Sequence, residues 1–215
     1  MEEPAVLAEV GDPAGLRILD LGCGDGAFGR LLLAAGARSY LGIDSSNSMV
    51  EQAGRTLAGT AGRVDQVDIE NFPADADSVD LVTARLSLHY VADLDRVLAA
   101  CARALAPAGR LIVTVVHPVI TSYDNRPAGP RTTWTVDDYF NPGPRIRAWM
   151  GSQVTWHHRT IENYFTAITR AGLTVTSLRE CEPDAARFEG DADELTRRRR
   201  VPLFLLLNAR APVAT

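Results

Sequence analysis

Four glycines and two carboxylates crowd into ILDLGCGDGAFG, residues 18–29. The glycines stand at 22, 24, 26 and 29 and the acids are Asp20 and Asp25. An apolar run enters this segment and a helical pattern leaves it. Glycine lets a chain turn sharply and brings its backbone close to a ligand. Residues 24–29 satisfy G-x-G-x-x-G, the spacing that wraps a dinucleotide pyrophosphate. The acids argue against that ligand, because a pyrophosphate takes amides and a helix N-terminus and is repelled by carboxylates. Two acids at a glycine bend suit a cationic ligand. Two more follow: Asp44 closes SYLGID (39–44), and Asp68 lies near the end of RVDQVDI (63–69). A carboxylate placed like Asp44 can accept both hydroxyls of a ribose. One placed like Asp68 can accept from an adenine amino group, with Ile69 against the purine face. Taken singly, Asp44 and Asp68 also fit as turn or capping residues; the glycine bend makes a site the better reading.

A nucleoside that carries a sulfonium and an amino group meets this demand, which points to S-adenosylmethionine. Its sulfonium already activates the methyl group, so a protein need mostly position an acceptor and exclude water. A base is required only for an acceptor that must lose a proton. Four histidines exist as candidates. His117 follows an apolar run at its carboxyl end, and His157 and His158 lead into a later helix. His117 and His158 are the preferred pair. His89 falls where the methionine end of the cofactor is expected. Each could equally be a structural hydrogen-bonding group. Tyr123, Trp134, Tyr139, Phe140, Trp149 and Trp156 make an aromatic region that could line a pocket for a small acceptor or could pin a long loop. Asp137 and Asp138 are adjacent, so they project apart on a strand, and no metal site is expected.

These residues need a scaffold. LRILDL (16–21), SYLGID, RVDQVDI, VDLVTAR (79–85) and RLIVTVVHP (110–118) read as strands. Helical patterns fill 26–37, the segment NSMVEQAGRTL and 93–106, the last stopping at Pro107 and Gly109. Apolar strands alternating with helices mean a parallel sheet covered on both faces. Residues 119–157 break the rhythm with prolines, glycines and aromatics and read as a lid or substrate loop. A helix (159–172), the strand LTVTSLREC, a charged link and the strand VPLFLLLNAR close the chain. The last two strands could pair antiparallel at the edge. One domain, 1–215, with 119–157 inserted, accounts for the pattern.

Composition narrows the classes. All 22 basic residues are arginine, which removes lysine chemistry and any P-loop. The net charge of -5 disfavours nucleic acid, and the arginine run 197–200 is offset by Asp191, Asp193 and Glu194 just before it. The three cysteines have no metal-ligand spacing, and no apolar run is long enough to span a bilayer. A cytoplasmic protein without membrane or nucleic-acid partners is expected.

The motifs DLGCGDGAFG, GIDSSNSMVEQA, VDI and VDLVTARLSLHYVADLDRVLAACARALAPAGRLIVTVVHP resemble those of class I S-adenosylmethionine-dependent methyltransferases, in the family's order. HPVITS, WTVDDYF, GPRIRAW, HHRTIENYFTAITRAGLTV and ECEP are similar to a subgroup of small bacterial members. The resemblance implies an α/β, Rossmann-like, doubly wound sheet of seven strands in the order 3-2-1-4-5-7-6, with strand 7 antiparallel. It implies cofactor contacts at Asp20, Gly22, Gly24, Asp44, Asp68, Ile69 and the segment around Thr83–Arg85; Cys23, Ser45 and Met49 are candidates beside them, and His89, Tyr123, Trp134, Tyr139 and Trp149 are the candidates for the acceptor pocket. Some fifteen residues precede the first strand, so either 119–157 supplies the cover for the cofactor or the chain start is shortened. No N/D-P-P-Y motif is present, which favours a small-molecule acceptor reacting at O, N or C. The rivals are a family member turned to cyclisation or elimination, a non-catalytic cofactor-binding subunit, and a nicotinamide oxidoreductase. A homodimer is left open.

Overall fold

The computed structural model describes residues 2–123, 133–149 and 152–213, and the side chains of residues 148, 149 and 152 fall outside that description. The chain runs α1 (Glu3–Val10), β1 (Arg17–Leu21), α2 (Ala27–Ala34), β2 (Ser39–Asp44), α3 (Asn47–Leu57), β3 (Gly62–Gln66), β4 (Val79–Arg85), α4 (Leu94–Ala104) and β5 (Leu105–Val116). It continues through α5 (Pro118–Thr121), β6 (Gly143–Trp149), β7 (Ser152–His158), α6 (Ile161–Arg170), β8 (Thr174–Glu180), α7 (Ala192–Arg198) and β9 (Phe204–Arg210). Seven strands form one sheet in the order β3-β2-β1-β4-β5-β9-β8. The final strand, β9, runs antiparallel to both neighbours. Counted within the sheet, this is the order 3-2-1-4-5-7-6 expected from the sequence.

Alternating side chains divide the core between the two faces. Leu19, Leu21, Val82, Ala84, Leu111, Val113 and Leu207 meet Val97, Leu98 and Cys101 of α4 and Tyr164 and Ile168 of α6. Ile18, Tyr40, Leu81, Ile112 and Leu206 meet Val6 and Val10 of α1, Phe28 and Leu32 of α2, and Ala53 and Leu57 of α3. Both faces are therefore buried, as continuous apolar strands require.

Three stretches differ from the sequence expectation. Part of 119–157 is an antiparallel hairpin, β6–β7, in register from Gly143↔His158 to Trp149↔Ser152. Proline and glycine signals around it conceal the alternation. The third strand stops at Gln66, and Asp68 caps a 3-10 turn, Ile69–Asn71. No α-helix joins β3 to β4, and a cavity of about 390 Å³ opens on the sheet beside Leu41, Ile43, Val67 and Phe72. The acidic start of the chain forms α1, with Pro4 in its first turn, where a missing amide costs nothing. Polar contacts hold this helix at both ends. Arg110 donates to the carbonyls of Glu9 and Val10 at 2.7 and 2.9 Å, and Arg85 pairs with Glu2 at 2.8 Å.

One buried carboxylate ties three adjacent strands, β2, β1 and β4. Asp20 and Thr83 are direct neighbours across β1 and β4. Thr83 Oγ1 donates to Asp20 at 2.7 Å, and the Tyr40 hydroxyl donates to the other carboxylate oxygen at 2.6 Å. The Tyr40 ring then lies where Gly29 faces it, so that a Cβ at residue 29 would fall 2.3 Å from the ring.

Two outcomes follow from this packing. Gly29→Ala is expected to destabilise by about 1–3 kcal/mol through overpacking, although alanine is the better helix former; urea unfolding reads the sign. Burial raises the Asp20 carboxyl above its ordinary value, against the pull of the Tyr40 and Thr83 hydrogen bonds. A carboxyl with a raised folded-state value contributes most at low pH. The stability of the wild type relative to Asp20→Asn should therefore fall as pH rises above about 4. A pH-independent difference between the two urea midpoints would contradict it.

Candidate cofactor and acceptor site

The glycine bend is stitched to the end of β2. The amides of Gly22 and Cys23 both donate to the Ile43 carbonyl, at 2.8 and 3.0 Å. Asp44 holds the next amides with one oxygen each, Gly24 N at 3.0 Å and Ser46 N at 2.9 Å. Gly22 has φ +75°, and a Cβ there would lie 2.6 Å from that of Ser87. Gly24 has φ +56°, but a Cβ there would meet nothing within 4 Å. The first glycine is needed for contact and conformation, the second for conformation beneath open space. Asp25 turns back to accept from the Ala27 amide at 3.1 Å, at the start of α2.

The expected cofactor residues separate into two groups. Asp44, Ser45, Met49, Asp68 and Ile69 border the bend from β2, α3 and the turn after β3. Ser45 and Met49 are exposed, and the Ser45 carbonyl accepts from Gln66 at 3.2 Å. Asp68 is exposed and accepts from the Glu70 amide at 2.8 Å. The Ile69 side chain comes within 3.4 Å of the Gly22 Cβ position. Asp20, Cys23 and Arg85 instead support the bend. Both oxygens of Asp20 are engaged below it. The Cys23 Sγ packs against Gly42, and its thiol is pushed up to about 12 by burial beside Asp20 and Asp44. Arg85 reaches Glu2 and stacks over Phe28 at 4.2 Å.

The histidines fall into distinct settings. His117 is 1% exposed; its Nδ1 accepts from the Val119 amide at 3.2 Å, and Nε2 lies 3.0 Å from Glu180. Burial lowers its pKa, opposed by Glu180. The ring caps α5 and carries no free nitrogen for an acceptor. His158 is fully buried, with Nδ1 2.7 Å from Thr121 Oγ1 and Nε2 2.9 Å from the Tyr139 carbonyl. Its pKa is lowered by burial as well, against the hydrogen bond to Tyr139. The preferred base pair thus has all four ring nitrogens engaged, because both rings sit where a backbone or hydroxyl partner is already present.

His89 is different. It is 2% exposed, and its Nδ1 has no hydrogen-bond partner. Its carbonyl accepts from the His157 amide at 2.7 Å, and its ring meets Trp156 edge-on at 5.0 Å. Burial, and then Arg159, press its pKa down to about 3. The β6–β7 hairpin thereby docks onto the segment that follows β4. Ser87, 6% exposed and also without a partner for Oγ, was not anticipated. The alternation of Leu86 and Leu88 with Ser87 and His89 was the available signal. Tyr139 packs near His158, its hydroxyl accepting from the Ile161 amide at 3.4 Å. Trp134 and Tyr123 are half-buried, and Trp149 has its side chain outside the described residues.

This donor and acceptor set fits the nucleoside sulfonium. A carboxylate ends β2 beside an open glycine bend, a buried hydroxyl lies under Gly22 with no partner, and the surrounding acids oppose a diphosphate. A family model described as a methyltransferase domain matches residues 19–113. An S-adenosylmethionine dependent methyltransferase from Mesorhizobium loti superposes with a TM-score of 0.90 at 33% identity, over 97% of each chain. A candidate enzyme of the same description from Listeria monocytogenes gives 0.85 at 30% identity, covering 98% of this chain and 97% of that one. A trans-aconitate 2-methyltransferase from Acidovorax is 41% identical over 113 residues, and the chain spans 43% of its length. With near-complete coverage at this identity, and the seven-stranded order in place, the chain belongs to the S-adenosylmethionine-dependent methyltransferases.

Proposed function

We propose that the chain methylates a small-molecule acceptor held between the glycine bend, residues 86–92 and the β6–β7 hairpin. The observation that carries this reading is the docking of the hairpin on the segment after β4, through the bond from His157 N to the His89 carbonyl. It walls one side of the sheet's carboxyl edge, where open α/β sheets take ligands. The aromatic cluster of Trp156, Tyr90 and His89 suits contact with a compact acceptor better than with a polymer. The net charge of -5 also disfavours nucleic acid.

The residue roles divide accordingly. Asp44 accepts the ribose hydroxyls, Asp68 the adenine amino group, and Ile69 covers the purine face. Met49 and Ser45 border the same side. Gly22 and Gly24 supply backbone and room, while Asp20, Cys23 and Arg85 support them from beneath. The bound cofactor supplies an activated methyl group; the protein contributes position and exclusion of water. His117 and His158 hold α5 and the hairpin in place.

Asp44→Ala should weaken binding of S-adenosylhomocysteine by about 2 kcal/mol, roughly thirtyfold, through loss of a charged acceptor. Titration calorimetry reads the affinity, and urea unfolding checks that the variant is folded. Unchanged affinity in a folded variant would remove Asp44 from the site.

A further inference from the structure

We propose that Ser87 and His89 bind the acceptor, and that the acceptor is a carboxylate, methylated on oxygen to an ester. This rests on the methyl-transfer reading above and names its substrate class.

The first support is unmet hydrogen bonding. Ser87 Oγ and His89 Nδ1 are buried and partnerless, two residues apart on the segment that presses against Gly22. Native interiors leave few such groups, and a ligand that meets both recovers what their burial costs. Both side chains can donate to an oxyanion. The His89 ring is held for this by Trp156 at 5.0 Å and Tyr90 at 4.4 Å.

Charge is the second support. Arg159, just past β7, is the charged group that acts on His89. Its NH2 is spent on the carbonyls of Val91 and Ala92 at 2.7 and 2.8 Å, and its NH1 is buried without a partner. No ion pair joins Arg159 to a carboxylate among the described residues. His157 of β7 is itself lowered by burial and then by Arg159, against the pull of Glu70. Glu70 is the acid on this side and accepts from the Ala92 amide at 2.6 Å, but the charged group that acts on His89 itself is Arg159, which favours an anion there over an amine.

Proton accounting is the third. Burial keeps His89 neutral, and His117 and His158 are engaged elsewhere. An acceptor that must shed a proton finds no receiver among them, His157 projects from the opposite face of β7 to Trp156, and a carboxylate needs none. A lone pair of its oxygen forms the O–CH3 bond, the C–S bond breaks, and that electron pair turns the sulfonium into a thioether. The two opposite charges cancel and no proton moves.

The test uses the intact chain with labelled methyl donor and a panel of mono-, di- and tricarboxylates, phenols and amines. The product's stability in mild base identifies the bond: a methyl ester releases labelled methanol, whereas aryl ethers and N-methyl groups survive. The expected result is a base-labile product, formed at a rate flat from about pH 6 to about pH 9. His89→Ala should lower kcat/KM roughly tenfold to a hundredfold with S-adenosylhomocysteine affinity intact. His89→Asn, which keeps a neutral donor, should restore most of the rate, and Ser87→Ala should raise KM. A base-stable product, no product from any carboxylate, or an Asn variant as slow as Ala would overturn the proposal while leaving methyl transfer standing. Failure of the wild type to bind S-adenosylhomocysteine would overturn both.

Discussion

Burying a carboxylate costs energy unless its oxygens are met, and the Asp20 arrangement meets both with hydroxyls from two flanking strands. Much of the site's geometry depends on that bond pair. Tyr40, held by its hydroxyl, presents its ring to Gly29 and lets α2 lie close on the sheet. With α2 fixed there, the intervening bend is short enough for its amides to reach the Ile43 carbonyl. The same bend leaves Asp44 beside Gly24. An acid read from the sequence as a ligand contact is thus a strut, and its influence on a ligand is transmitted through backbone position.

The sheet was legible because its central strands are buried on both faces and stand between turn signals; ILDLGCGDG and the run ending at Asp44 carry strand, bend and acid in contiguous residues. The hairpin was not legible. GPRIRAW begins with glycine and proline, which mark loops locally, and its pairing with SQVTWHH is set by register across the chain. Helix α1 was missed for a similar reason: with only Val6 and Val10 buried, its hold comes from arginines about 80 and 100 residues away. Histidine roles were the least legible. His117, His158 and His89 look alike in sequence, and only tertiary partners distinguish two engaged rings from one with an unmet nitrogen.

Charge is sorted across the carboxyl edge. Asp44, Asp25 and Asp68 lie at or near the bend, whereas Arg159 and a neutral imidazole stand after β7 and β4, with Glu70 at Ala92 the acid on that side. A sulfonium and an anionic nucleophile placed between these sides would each face its own counter-field. Such sorting brings opposite charges together without a proton relay, and preorganised fields of this kind act without reorganisation during reaction.

The hairpin is held by the backbone of His89, by the rings of Tyr90 and Trp156 and by α5 through His158 and Arg147, while the bend is anchored to β2. The two halves of the crevice meet only at the segment after β4, which the hairpin grips through His89 and against which Gly22 packs at Ser87. Loop grafting between β5 and α6 would retune which molecules enter while the bend keeps its own hydrogen bonds to β2, so long as Ser87 stays in place behind Gly22.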